Sequence, residues 1–322
     1  MIKLTPMERL VIIDGHAILY RAYHALPLLT TSKGQPVGAV YGFISMLLRT
    51  IADLKPTHLV VAFDRKEKTF RKKLFPNYQV QRPEMEVDLV LQVDLMHKIL
   101  KEMGICIYEF AGFEADDVIG TLTKLVKKQE TRNKNEEIEV IIVTGDRDIL
   151  QLVDDTTRVY MPVKGLSEMK LFSKDEVIER LGVKPTDIIE LKGLIGDSSD
   201  NYPGVPGIGP KTAIELIKKF GTVENIYINI DQTEGKLNEK LKKGKESALM
   251  SKKLATIVKD VPVNLNLQLA KLLNLDRPDI RKLFEDMEFR SLITRLSGVS
   301  NQVIRKKKEV VKKKNVDQTS LF

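Results

Sequence analysis

The chain has 322 residues, 30% of them charged, and a formal net charge of +8 at pH 7. That length buries a full core as one large domain or two small ones, and the N-terminal apolar run Leu10–Ile13 is too short for a signal peptide or a membrane span. The only cysteine, Cys106, excludes an intrachain disulfide or a cysteine-built zinc site and fits a reducing cytoplasm.

In chain order, Leu10–Ile13 reads as a buried strand and ends on Asp14. A helical period covers 38–53, and a second apolar run at 58–63 ends on Asp64. Between 65 and 82 the basic residues Arg65, Lys66, Lys68, Arg71, Lys72, Lys73 and Arg82 interleave with Phe70, Phe75 and Tyr78. Such a run suits phosphate tracking and base stacking on single strands, a solvated helix face being the plainer alternative. A helix at 88–103, a strand at 105–109 and a helix at 115–129 follow, the last opened by Glu114, Asp116 and Asp117. Carboxylates at a helix start are often only caps or dipole partners. A strand at 138–143 then leads to Asp146 and Asp148. The alternation predicts an α/β fold with a mainly parallel sheet covered on both faces. In such sheets sites gather outside the carboxyl ends of the strands, where three of the acidic clusters fall.

From about 174 the strand signals fade. Helices are expected near 174–181, 185–194, 210–219, 244–259 and 277–287, with the polar stretch 229–244 as a loop. Asp197 and Asp200 precede Gly204-Val-Pro-Gly207-Ile208-Gly209-Pro-Lys211-Thr212. Gly207 and Gly209 lead into a helix opened by Pro210, an arrangement that exposes backbone N–H groups to a phosphate. With the helix at 185–194 this reads as a helix–hairpin–helix, a sequence-neutral DNA backbone clamp. Beyond Gly298 the chain is polar and Lys-rich and is expected to be disordered. Residues 301–322 hold seven Lys/Arg against Glu309 and Asp317, so they carry +5 of the +8. Nucleic acid is thus suggested by local patches, not bulk charge.

Nine carboxylates (Asp14, Asp64, Glu114, Asp116, Asp117, Asp146, Asp148, Asp197 and Asp200), with no competing His/Cys set, suit hard divalent cations. They are too many for one magnesium ion and reasonable for two, which roughly 3.5–4 Å apart support phosphodiester hydrolysis.

The strings VIID14GH, AFD64, F70R71, Y78…R82, F113E114AD116D117, TGD146RD148 and GD197SSD200NYPGVPGIGPKT resemble the 5′-nuclease domain of bacterial DNA polymerase I, a member of the flap endonuclease family. The resemblance runs from about residue 8 to 297. It implies a PIN-like twisted sheet at 1–173 with a helical arch at about 65–100. A helical region with the helix–hairpin–helix at 174–297 and a tail at 298–322 complete the expected division. It also implies two Mg2+ or Mn2+ ions at the nine carboxylates and a K+ ion at the hairpin. Catalytic roles fall to Arg71, Tyr78 and Arg82, with DNA contacts from Lys66, Lys72, Lys73, Gly207, Ile208, Gly209, Lys211 and Thr212. The implied activity is removal of 5′ flaps and RNA primers and 5′–3′ degradation of DNA, by a cytoplasmic monomer in replication and repair. Gln79 stands where the family's arch usually carries lysine. An uncharged amide stabilises a developing phosphorane poorly, so a DNA-structure-binding protein with weak or lost catalysis stays open, as does an RNA-directed PIN-like nuclease. The chain ends where a polymerase would begin, so a stand-alone nuclease is expected. Its last residues, with Gln318, Leu321 and Phe322, are similar to peptides that bind the bacterial sliding clamp.

Overall fold

A computed structural model describes residues 8–132, 138–164 and 168–298. The tail, including Gln318, Leu321 and Phe322, lies outside them. Six strands form one sheet in the order β3-β2-β1-β4-β5-β6. They are β1 (Glu8–Asp14), β2 (His58–Ala62), β3 (Cys106–Tyr108), β4 (Ile138–Val143), β5 (Thr157–Lys164) and β6 (Glu168–Phe172). All pairings are parallel except β5 with β6. The three central strands are continuous apolar runs because both faces are covered. Leu10, Ile12, Val60, Ala62, Val140 and Ile142 point into one core, and Val11, Ile13, Leu59, Val61, Ile141 and Val143 into the other.

The second core is closed by α1 (Gly15–Ala25), α2 (Gly38–Leu54) and, beyond the short α3 (Phe70–Leu74), α4 (Val87–Glu102). It also takes α11 (Pro278–Asp286) and a terminal helix at 290–298. The first core is closed by α5 (Ala115–Arg132), α6 (Lys174–Leu181), α7 (Ile188–Ile195), α8 (Pro210–Phe220), α9 (Val223–Ile228) and α10 (Gly235–Ala255). One core therefore runs from the sheet into the helical region. Among the described residues no helix is long and apolar enough to cross a membrane.

Four features depart from the sequence reading. Helix α1 follows β1 without a break and buries Gly15, Ile18, Leu19 and Ala22 on one helical face. Strands β5 and β6 were not anticipated: Pro162 sits at a register shift in β5, and β6 alternates polar and apolar residues at the sheet edge. The stretch 229–244 is no loop beyond residue 234, because α10 begins at Gly235. Its Leu241, Gly244, Ala248, Ser251 and Ala255 recur at three- and four-residue steps and are buried, although the intervening lysines make the segment polar overall. Finally, α4 buries Leu89, Gln92, Met96, Ile99 and Leu100 and belongs to the body of the domain, so the crossing over the sheet ends is confined to about 65–86.

Candidate metal centre and nucleic-acid clamp

The order β2-β1-β4 sets three carboxylates side by side at the sheet's carboxyl edge. Asp14 ends β1 and caps α1 by accepting from the Ala17 N–H at 3.1 Å. The Thr144 hydroxyl, just past β4, donates to the other Asp14 oxygen at 2.6 Å and accepts from the Asp146 N–H at 2.9 Å. Asp64, past β2, accepts from the Ala115 N–H at 2.7 Å, and its own N–H donates to His16 Nδ1 at 3.1 Å. These bonds tie the start of α5 to the end of β2 and bring Asp116 into the group. The Asp116 carboxyl receives no hydrogen bond from the described residues, and burial foremost, then Asp146, Asp14, Asp148 and Asp64, holds it well above the usual carboxylate range. Burial foremost, then Asp64 and Asp146, pushes Asp14 up to about 7 against the lowering effect of its hydrogen bonds.

A second group lies where the sheet meets the helical region. Asp148, Asp197 and Asp200 offer oxygens within 4.8 Å of one another, the carboxylates among the described residues that meet this spacing. The loop between α7 and the hairpin folds back through a two-way bridge of Asp197 with Tyr202, at 2.8 and 3.0 Å, which aims both aspartates at Asp148. The Lys192 ammonium on α7 bridges Asp148 and Asp197. Burial pushes Asp148 up to about 7 despite this lysine, whereas for Asp197 burial is outweighed by Lys192 and Ser199, which hold its carboxyl low. A cluster of carboxylates that burial and mutual repulsion hold unfavourably together, with no Cys ligand, fits hard divalent cations.

The crossing segment contacts both groups. Asp200 accepts from the Tyr78 hydroxyl at 3.2 Å, Gln79 Nε2 at 3.1 Å and an Arg82 guanidinium nitrogen at 2.7 Å. Glu114, which precedes α5, accepts from Tyr78 at 3.2 Å and Thr69 at 3.1 Å and lies 3.3 Å from Arg71. Burial, offset in part by Arg71, raises Glu114 to about 7. Asp117 is placed differently from the other eight acids. It is fully buried, and its two oxygens accept from Arg71 at 2.7 and 2.8 Å and from the N–H groups of Val258 and Glu114. Arg71 is itself only 2% exposed and donates further to the Leu254 and Thr256 carbonyls. The structure thus makes Arg71 and Asp117 a buried bidentate pair that anchors α3 to the body. Lys66 and Lys73 are exposed and Lys72 half-buried, all on the crossing's surface.

The hairpin is built on close backbone approach. Val205 N–H donates to the Leu194 carbonyl at 2.8 Å, and at Gly204 (φ 61°) a Cβ would stand 2.2 Å from the Gly196 nitrogen. Ile208 is buried, while Gly207, Gly209 and Lys211 are exposed and Thr212 is half-buried. Lys240 of α10 donates to the Gly207 carbonyl at 2.9 Å. That oxygen is therefore already paired with an ammonium of the chain itself.

The sequence reading did not single out Lys192, Thr144, His16 or Lys240. A lysine within the apolar run of α7 was a usable signal for the first. The others act through contacts that only the fold creates.

Two family models match the chain: "5′-3′ exonuclease, N-terminal resolvase-like domain" over residues 9–182 and "5′-3′ exonuclease, C-terminal SAM fold" over residues 183–278. DNA polymerase I of Bacillus subtilis is 41% identical over 294 residues, which is 91% of this chain and 33% of that protein. The chain thus spans about a third of the length of the curated relatives it matches. Among solved structures, the bacteriophage T5 D15 flap endonuclease (D155K) in a pseudo-enzyme-product complex with DNA and metal ions shares the fold. Its TM-score is 0.60 at 19% identity, covering 92% of this chain and 98% of that one. The catalytic core of Rad2 in complex with DNA substrate aligns at a TM-score of 0.55 and 17% identity, covering 92% of each chain.

Proposed function

The chain belongs to the 5′-3′ exonuclease family, and from that membership we propose that it is a metal-dependent 5′ nuclease. It would cut phosphodiester bonds of 5′-flapped, 5′-ended and RNA-primed DNA, as a monomer, in replication and repair. The observation that carries this reading is the junction itself. Asp197 and Asp200, on the loop that leads into the hairpin, share one spacing with Asp148 beside the sheet. A duplex held at the hairpin by its backbone would then lie against the carboxylates.

Asp14, Asp64, Asp116 and Asp146 would hold one divalent cation, Mg2+ or Mn2+, and Asp148, Asp197 and Asp200 a second. Bound there, such ions supply an activated water and charge stabilisation at the leaving oxygen. Thr144 and the Ala115 N–H fix the orientation of Asp14 and Asp64. Lys192 neutralises part of the second group. Arg82, whose side chain is half exposed, would meet the phosphate, Tyr78, buried between Glu114 and Asp200, would hold those two carboxylates in place, and Lys66, Lys72 and Lys73 would track the displaced single strand. Gly207, Ile208, Gly209, Lys211 and Thr212 would receive duplex phosphates.

The deciding experiment offers the protein, in Mg2+, labelled 5′-flap DNA, the RNA-flap equivalent and single-stranded RNA. We expect both flap substrates to be cut and single-stranded RNA spared, with Asp116→Asn slower on the order of 100-fold. Cleavage of single-stranded RNA alone would turn the reading to an RNA-directed nuclease, and tight flap binding without cleavage to a binding protein.

A second part of the proposal is that Gln318, Leu321 and Phe322 dock on the sliding clamp, on the strength of their sequence alone. Deleting residues 318–322 should abolish pull-down by the clamp while leaving cleavage of free flaps intact. Retained pull-down would reject it.

A further inference from the structure

The Gly207 carbonyl of the hairpin already has a cation on it, and that cation comes from the chain. Helix α10 lies along the hairpin through one stripe of its surface. Ser251 accepts from the Gly204 N–H at 3.0 Å, Ser247 donates to the Gly204 carbonyl, and Gly244 lets Val205 pack against the helix backbone. Lys240 is the next position on that stripe. Its ammonium sits 2.9 Å from the Gly207 oxygen, and a Cβ at Gly207 would come within 2.9 Å of the same nitrogen. Gly207 holds φ at 81°, a conformation that turns its carbonyl toward α10 at the hairpin tip.

One of the three ammonium donors is used on that carbonyl, which leaves two for a ligand. Along the same hairpin and into the start of α8, the N–H groups of Gly207, Gly209, Lys211 and Thr212 meet no acceptor among the described residues. Gly209 has open space where a Cβ would stand. Unsatisfied backbone donors on a hairpin that also carries an ammonium are the chemistry a phosphate calls for.

We infer that Lys240 is the hairpin's own cation: its ammonium, seated on the Gly207 carbonyl, completes a phosphate site with the hairpin N–H groups and makes a bound potassium ion unnecessary. The inference rests on the reading of the hairpin as a DNA backbone clamp. A lysine in this role has two consequences that an ordinary surface lysine lacks. Affinity for duplex becomes indifferent to which monovalent cation is present, and loss of the lysine creates a vacancy that a small cation can fill.

The test is anisotropy of a labelled nicked duplex in EDTA, at equal ionic strength in potassium or tetramethylammonium chloride. The second cation is too large for a carbonyl site. Wild type should bind equally in both salts, within twofold. Lys240→Met should bind about fivefold or more weakly in tetramethylammonium and recover part of the loss in potassium. Its log Kd against log salt should flatten by about one unit, as for one lost phosphate contact. Lys240 is exposed on a helix where methionine is well tolerated, and matched melting curves would confirm an intact fold. A fivefold loss by wild type on leaving potassium, or wild-type binding by Lys240→Met in both salts, overturns the inference. Lys211→Met separates the two levels. If it weakens binding while Lys240→Met does not, the clamp stands and this inference fails. If neither variant changes affinity, both fail.

Discussion

Asp200 accepts hydrogen bonds from three side chains of the crossing segment, and Gln79 contributes no charge to that set. Its amide, 3.1 Å from Asp200, orients the carboxylate but cannot stabilise a developing phosphorane as an ammonium would. Gln79→Lys should therefore raise the single-turnover cleavage rate of a 5′ flap by about tenfold or more, with little change in Kd. An unchanged rate would mean that Arg82, whose guanidinium is 2.7 Å from the same carboxylate, already supplies the charge. At this scale the sequence was informative about identity and less so about role. The nine acids were visible, as was the missing lysine. That Asp117 faces Arg71 could not be seen, because the partner lies 46 positions away and only the packing of α3 against α5 brings them together.

Among the elements, α3 is short, and its position depends on the Arg71–Asp117 pair more than on its own length. Removing one member leaves an uncompensated buried charge, which costs roughly 3–5 kcal/mol. Asp117→Ala should lower stability to urea by that amount in EDTA, where no metal contributes. Unchanged stability in EDTA would instead return Asp117 to the metal-binding set. Strands β1, β2 and β4 were legible because burial on both faces makes them uninterrupted apolar runs. Strands β5 and β6 were not, since a proline and an alternating edge weaken the same signal. Only the second half of α10 was legible; its first turns, from Gly235 to about residue 243, were hidden by their lysines, and with them went Lys240 and its contact with the hairpin.

For the molecule as a whole, the acidic hole is a cost that bound cations remove. Asp14, Glu114 and Asp148, raised to about 7 chiefly by burial, hold protons in the folded state that the unfolded chain releases near pH 4. Between those values the folded state binds more protons, so stability without metal falls as pH rises from about 4 to 7. Divalent cations bound at Asp14 and Asp148 would displace the protons there, so the gain in Tm from Mg2+ over EDTA should widen from pH 5 to pH 8. A gap independent of pH would mean that these carboxyls are ionised in the free protein. The same geometry joins chemistry to recognition, because the hairpin and the second acidic group share one loop. The most direct measurement of that claim is product analysis on a 5′-flap duplex labelled at the flap end, in Mg2+ and in EDTA. In Mg2+ the flap should be released by cutting at its junction, with no product in EDTA or with Asp116→Asn. Cutting in EDTA, or tight binding with no cutting in Mg2+ or Mn2+, would contradict it.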